Sequence, residues 1–265
     1  MLRPRITPCL LIRKRGLVKT VNFRNEKYVG DPINAVRIFN EKEADELIVL
    51  DIDATVEQRA PDFKTIENLA AECRMPLCYG GGVNTVDQAL RILALGVEKI
   101  AISSFAIENP EFVTRLATDI GSQSVVVVLD VRETRKGGQY EVFTHNARNN
   151  TGQSPIDLAR KMEQCGVGEI VVNSIDNDGV MKGYDLELVD QMRSVVSVPL
   201  TALGGAGSLK DIDQLITRFG IIGAAAGSLF VFKGVYRAVL ISYPGVTEKE
   251  AMAQQCQVVS RKDNE

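Results

Sequence analysis

Glycine and serine residues recur in this chain directly after short apolar runs. Glycine lets the backbone approach an anion closely, and free amides and serine hydroxyls donate hydrogen bonds to it. A single cluster of this kind could equally be a tight turn. The clusters occur in both halves of the chain, however, and we predict that they form two phosphate sites, built from Gly81, Gly82, Ser103, Ser104, Asp178, Gly179, Gly204, Gly205, Gly227 and Ser228.

The two halves of the chain repeat each other at a nearly constant spacing. Glu46 and Glu169 open similar apolar runs 123 positions apart, and Pro76 and Pro199 precede glycine turns at the same spacing. A fixed internal offset is typical of a duplicated architecture. The repeat therefore predicts two equivalent half-barrels, with one phosphate site contributed by each.

Eight short apolar segments alternate with amphipathic ones. They lack polar alternation, which is typical of strands buried on both faces of a parallel sheet. Helix starts follow them at Thr85, Asn109, Ser154 and Ser208. We predict a single (β/α)8 TIM barrel over residues 1–245 and a polar C-terminal tail over 246–265, helical and then frayed. An open doubly wound sheet is the alternative. The predicted strands are 7–12, 46–51, 76–79, 99–102, 124–130, 169–174, 200–203 and 223–226.

Composition excludes several classes of function. The net charge of −3 gives no electrostatic reason to bind nucleic acid or an anionic membrane. No apolar run reaches membrane-spanning length and no signal peptide is evident, so we expect a cytoplasmic protein. The five cysteines show no metal-site spacing, and His145 is the only histidine. We expect no metal and no organic cofactor.

Several motifs together resemble the cyclase subunit of imidazole glycerol phosphate synthase. They include the run from Arg5 to Leu10, the run from Gly16 to Phe23, Gly80-Gly81-Gly82, the run from Ser174 to Gly179, and Gly204-Gly205-Ala206-Gly207. The match covers about residues 1–245. The resemblance implies a (β/α)8 barrel that forms a heterodimer with a glutaminase subunit and uses the ammonia that the glutaminase releases. It also implies a bis-phosphorylated ribonucleotide as substrate, with imidazole glycerol phosphate and an aminoimidazole carboxamide ribotide as products.

The resemblance also implies an ammonia entrance gated by four charged residues: Arg5, Glu46, Lys99 and Glu169. The sequence supports such a gate independently. Arg5 lies just before the first predicted strand and the other three residues open the second, fourth and sixth, so the four side chains can converge at the bottom of the barrel. A structural salt-bridge layer is the alternative. Glu98 and Gln123 match positions near the glutaminase interface. Lys19, in a basic loop, matches a mobile lysine that reaches over bound substrate.

The chemistry of that family uses two strand-end carboxylates, which can share general acid and base roles. Asp130 matches the carboxylate of the fifth strand, but Leu11 occupies the position of the first. Asp51, Asp53 or Asp176 could substitute for the missing acid. Alternatively the barrel acts on another substrate, or it only conducts ammonia to a third enzyme. Divergent members that lack the first acid are associated with amidation of a surface-polysaccharide sugar.

A related sugar-phosphate isomerase shares the half-barrel repeat and is a further alternative. It also needs two strand-end acids, so Leu11 argues against it as well. The predicted charged gate favours the ammonia-handling subunit, because an isomerase needs no tunnel.

Overall fold

Eight parallel strands close into a barrel in the computed structural model, which describes residues 3–135 and 137–262. Each strand pairs in parallel with the next, and the last pairs with the first, where Gly223 lies opposite Arg5. The predicted TIM barrel is confirmed and the open sheet is excluded. The strands are β1 (Arg5–Arg13), β2 (Leu47–Asp51), β3 (Leu77–Gly80), β4 (Lys99–Ile102), β5 (Val125–Arg135), β6 (Glu169–Ser174), β7 (Leu200–Leu203) and β8 (Gly223–Ala226).

A principal helix follows each strand, and the predicted start signals work as hydrogen-bonding caps in two clear cases. Ser154 accepts a hydrogen bond from the amide of Ile156, and Thr85 forms a reciprocal capping box with Gln88. The helices are α1 (Pro32–Glu41), α2 (Phe63–Glu72), α3 (Val86–Ala94), α4 (Pro110–Ile120), α5 (Pro155–Gln164), α6 (Leu186–Arg193), α7 (Leu209–Phe219) and α8 (Val246–Lys262).

Two of the strands extend beyond their predicted ends because they acquire antiparallel partners at the C-terminal rim. After β1 the chain forms a hairpin of Gly16–Val21 and Arg24–Gly30, and β5 pairs with Gln139–Thr144. The expectation that Lys19 lies in a flexible loop is wrong. Lys19 belongs to the first strand of the hairpin and is buried.

Apolar side chains fill two separate regions of the barrel. The larger cluster lies between the strands and the surrounding helices. The smaller one fills the barrel interior and is almost wholly buried; its members are Cys9, Ile48, Cys78, Ala101, Val126, Val128, Val171 and Ala225. Burial on both faces explains why the strands read as continuous apolar runs.

The chain after residue 245 forms helix α8, which packs on α7 and buries Met252 in the outer core. The frayed end that we predicted falls partly on residues 263–265, which lie outside the described residues. Within the described part of the chain, no helix is both long and apolar enough to cross a membrane.

Candidate functional site

Four charged side chains form a closed ring at the N-terminal end of the barrel. Arg5 Nη1 lies 2.7 Å from Glu46 Oε2, and Arg5 Nη2 lies 2.6 Å from Glu169 Oε1. Lys99 Nζ completes the ring at 2.6 Å from Glu46 and 2.8 Å from Glu169. Thr201 adds a hydrogen bond to Glu169 at 2.6 Å. The four predicted gate residues therefore meet in one neutral layer.

Burial and mutual attraction act in opposite directions on this ring. Burial alone would raise the pKa of Glu169, but hydrogen bonds and charge from Arg5 and Lys99 hold it below its usual value. Burial would likewise lower the pKa of Lys99, yet Glu169 and Glu46 raise it overall. As whole residues, Glu46 and Glu169 are only 4% and 6% exposed. Ionised groups buried this deeply are stable only when paired with groups of opposite charge. Loss of any one member of the ring would therefore leave a buried charge without compensation.

The residues expected at a partner interface lie on the same face as the ring. Glu98 directly precedes Lys99, and Gln123 lies in a short 3-10 turn that leads into β5. Both are exposed. The position of these residues is therefore compatible with contact to another chain, and their role stays a prediction.

The glycine turns meet at the opposite end, around a cavity lined by all of the predicted phosphate-site residues. The two halves use the same local geometry there. Gly81 and Gly204 both have positive φ angles, of 119° and 93°. A Cβ at Gly81 would lie 2.4 Å from the carbonyl oxygen of Asp51, and one at Gly204 would lie 2.6 Å from that of Ser174. Only glycine fits these equivalent turns.

Serine and aspartate residues at the mouth differ in the partners they have. Ser103 Oγ is buried without a hydrogen-bond partner in the described chain, whereas Ser104 Oγ accepts from the amide of His145. Asp178 accepts hydrogen bonds from Thr20 Oγ1 at 2.7 Å and from the amide of Phe23. Its carboxylate thus fastens the hairpin to the loop after β6. The sequence did not predict this contact.

Asp130 lies at the cavity beside a polar partner that sequence reasoning missed. Asn173 Nδ2 donates a hydrogen bond to Asp130 Oδ1 at 2.9 Å, and the two residues are register partners in β5 and β6. Burial raises the pKa of Asp130 to about 7, with a further contribution from the charge of Asp178. Asn173 is 6% exposed, and its Oδ1 has no partner in the described chain. A carboxyl group with such a pKa can exchange protons near neutral pH.

The corresponding pair in the first half of the barrel is apolar. Leu11 and Leu50 are register partners in β1 and β2, and both contact the interior apolar cluster. Leu50 stands 123 positions before Asn173, which is the offset of the repeat. Comparing the two positions in the sequence would therefore have shown that Asn173 is polar where its counterpart is apolar. The cavity therefore has a single carboxyl group at these two equivalent strand ends.

The three candidate substitutes for the missing acid differ in their access to the cavity. Asp51 borders the cavity, but its Oδ1 accepts hydrogen bonds from the amides of Asp53 and Ala54. Asp53 is bound by Arg13 at 3.0 Å and does not line the cavity. Asp176 is exposed and accepts a hydrogen bond from the amide of Glu133. Of the three, only Asp51 borders the cavity, and its substitution for the missing acid stays a prediction.

The side chain of Lys19 points inward and lies against β1 and the turn that follows β8. Its ammonium donates a hydrogen bond to the carbonyl of Cys9, and a Cβ at Gly227 would lie 2.6 Å from Lys19 Nζ. Burial lowers the pKa of Lys19, against the raising effect of Asp178. Two other basic residues of the same segment form ion pairs: Arg13 with Asp53 and Arg15 with Asp62.

Among the described residues there is no cluster of histidine, cysteine and acidic side chains that could hold a metal ion. A closed parallel barrel with its ligand cavity at the C-terminal strand ends defines the class, a (β/α)8 barrel of the kind that binds small molecules at that rim. Within that class, the chain belongs to the histidine biosynthesis protein family, which it matches over residues 5–237.

Relatives from several bacteria carry related names. A Leptospira interrogans protein is 58% identical over 252 residues, which is 95% of this chain and 99% of the relative, and its name assigns it provisionally as the HisF subunit of imidazole glycerol phosphate synthase. A Pseudomonas aeruginosa protein with a similarly provisional name, hisF2, is 52% identical over 94% of this chain and 98% of its own length. The Lactococcus lactis subunit HisF is 40% identical over 87% of this chain and 89% of its own length. The resemblance found in the sequence is confirmed.

Proposed function

We propose that this chain is the ammonia-accepting subunit of a glutamine-dependent amidotransferase. One observation carries the proposal: the two ends of the barrel interior differ in kind. The ring of charged residues, whose net charge is zero, closes one end, and Asp130 and the glycine turns lie at the other. A glutaminase subunit would dock on the face that presents the ring, Glu98 and Gln123. Relatives named as synthase subunits support such a partner.

The barrel interior between the two ends would suit the passage of a neutral nitrogen donor. Its walls are apolar side chains and two cysteines, and a bare ion would have to lose its hydration there without compensation. Ammonia can cross such a region far more readily than ammonium. The ring must open for passage, since its four members contact one another directly.

At the mouth, we propose that the two glycine turns hold the phosphates of a bis-phosphorylated ribonucleotide. The unpartnered hydroxyl of Ser103 and the open backbone of the turns supply donors. Asp130 would accept a proton from the attacking nitrogen and return it to a leaving or ring oxygen. The products would be imidazole glycerol phosphate and an aminoimidazole carboxamide ribotide.

A second function is favoured by one specific contact, the Leu11–Leu50 pair. Without a carboxyl group on that side, a reaction that needs both a general acid and a general base lacks one of the two groups. In this case the barrel activates the glutaminase and conducts ammonia to a third enzyme, for example one that amidates a sugar of a surface polysaccharide.

One assay separates the two functions. The purified chain is given ammonium chloride and the bis-phosphorylated ribonucleotide, and separately the glutaminase subunit with glutamine. Product formation that Asp130→Asn abolishes supports the cyclase. Stimulated glutamine hydrolysis without any product supports the conduit. Failure of both, in a folded protein, overturns the proposed function.

A further inference from the structure

The segment between β8 and α8 returns to the N-terminal rim and inserts Tyr243 beside the charged ring. The aromatic ring of Tyr243 packs edge-on against Phe39, with centroids 6.4 Å apart, and in a tilted arrangement against Phe230, at 5.4 Å. These aromatic contacts fix the direction of the Tyr243 hydroxyl. Burial raises the pKa of this hydroxyl, which therefore remains a donor at neutral pH.

The Tyr243 hydroxyl joins the first two strands at a point where their own pairing has ended. It donates to the carbonyl of Ile6 at 2.7 Å and accepts from the amide of Asp45 at 3.0 Å. The β1–β2 ladder begins at Cys9 opposite Ile48, and the same register, continued toward the N-terminus, places Ile6 opposite Asp45. The Tyr243 hydroxyl therefore bridges the two strands where a backbone hydrogen bond between them is missing.

Asp45 and helix α8 complete the connection. Asp45 Oδ2 accepts from the amide of Ile6 at 3.0 Å, while Asp45 Oδ1 accepts from Lys249 Nζ at 2.8 Å. Lys249 also donates to the carbonyl of Glu43 at 2.7 Å. We call Asp45, Tyr243 and Lys249 the rim clamp. The clamp binds Ile6 and includes Asp45, and these two residues are the chain neighbours of Arg5 and Glu46. Arg5 and Glu46 form one edge of the charged ring.

The other half of the barrel holds its glutamate differently. Gly168 stands where the repeat would place a counterpart of Asp45, and it forms a backbone hydrogen bond from its amide to the carbonyl of Val125. A Cβ there would lie 2.0 Å from the carbonyl oxygen of Ser122. Glu169 is thus positioned by direct backbone packing against the preceding strand, whereas side chains join the residue before Glu46 to the residue after Arg5.

We infer that the rim clamp is a positioning device, in which Tyr243 and Lys249 keep the Arg5–Glu46 edge of the ring closed and α8 controls its release. The inference rests on the proposed function only in naming the ring as an ammonia gate. Arg5 and Glu46 remain the groups that contact the passing molecule. The clamp acts through their backbone.

Cys78 provides a reporter of ring opening that needs no partner protein. It is buried in the barrel interior, close enough to the ring for Glu46, Glu169 and Lys99 to influence its pKa. The small neutral reagent methyl methanethiosulfonate should reach it mainly when the ring opens. Cys73, partly buried at the end of α2, reports on general loosening.

The test compares Tyr243→Phe with Tyr184→Phe, whose hydroxyl is also buried and bonded to a backbone carbonyl, that of Ala225, away from the ring. We expect Tyr243→Phe to accelerate labelling of Cys78 at least tenfold, with Cys73 unchanged, and to accelerate exchange of the Asp45 amide. Tyr184→Phe should do neither. Wild-type labelling of Cys78 in a folded Tyr243→Phe protein would overturn the inference.

A second variant covers a failure of Tyr243→Phe to fold. Lys249→Met keeps the tyrosine and should accelerate Cys78 labelling by a smaller factor; wild-type labelling of this variant would overturn the role of α8. These readouts are independent of any glutaminase. If the wild-type chain fails to stimulate a glutaminase while the labelling result holds, the proposed function fails and the clamp stands.

Discussion

Asp130 and Leu11 occupy equivalent strand ends, but the surroundings of Asp130 are polar and those of Leu11 are apolar. Asp130 has an amide donor in Asn173, and Leu11 faces Leu50. The duplicated fold therefore presents a polar and an apolar half at one mouth. At the level of single residues, this asymmetry separates the two proposed functions, cyclisation and delivery of ammonia to another enzyme.

The raised pKa of Asp130 makes a prediction about stability. A carboxyl group whose pKa is near 7 in the folded state and 3.8 in the unfolded state destabilises the fold progressively as pH rises from about 4 to about 7. Asp130→Asn removes this cost. We expect the variant to gain about 1–3 kcal/mol relative to wild type between pH 4.5 and pH 8, since each pKa unit corresponds to about 1.4 kcal/mol and relaxation absorbs part.

Urea unfolding at the two pH values measures this difference. Asp157→Asn, at a side chain that is 77% exposed, is the control and should show the same offset from wild type at both pH values. An Asp130→Asn offset that is also independent of pH would contradict the assignment of Asp130 as a proton-exchanging group.

At the scale of elements, the ring connects strand ends that are far apart in sequence. Lys99 opens β4 and bridges the acids next to β2 and in β6. Removing it leaves two buried carboxylates with Arg5 as their remaining cation. We expect Lys99→Met to cost about 2–4 kcal/mol of unfolding free energy and to uncouple the glutaminase, because breaking a buried ionic unit leaves uncompensated charge.

Lys64→Met is the matched control, because Lys64 pairs with Glu67 on the exposed face of α2. An exposed pair of this kind contributes about 0–1 kcal/mol. Chemical denaturation with a glutaminase stimulation assay compares the two variants. Equal, small effects in both would mean that the ring is not a cooperative structural unit.

The turn after β7 gives a further prediction. In Gly204→Ala the new methyl group would lie 2.6 Å from a carbonyl oxygen at a positive φ, so both strain and collision arise. We expect a loss of about 2–4 kcal/mol in stability and at least tenfold weaker binding of inorganic phosphate. Gly234→Ala is the control: its φ is also positive but nothing lies within 4 Å, so strain alone should cost about 1 kcal/mol. Unchanged phosphate binding in Gly204→Ala would exclude this turn as an anion site.

At the scale of the whole molecule, the sequence predicts the barrel well and its contacts less well. The eight strands were readable because each is apolar on both faces, and the offset of 123 residues implied closure. The hairpin after β1 was not readable: Arg24–Gly30 is polar and mostly exposed, without the alternation that indicates a strand. Asn173 and Tyr243 gain their roles from partners 43 and 198 positions away, and no local pattern shows such pairings.

Under the proposed function, nitrogen crosses the barrel from the charged ring to the mouth. The most direct measurement supplies glutamine labelled with nitrogen-15 in the amide to the complex with a glutaminase, in a large excess of unlabelled ammonium, with the bis-phosphorylated ribonucleotide as acceptor. We expect a product that carries the glutamine label despite the excess. A product whose isotope ratio matches the solvent would contradict it, because the nitrogen would then have entered from outside the barrel.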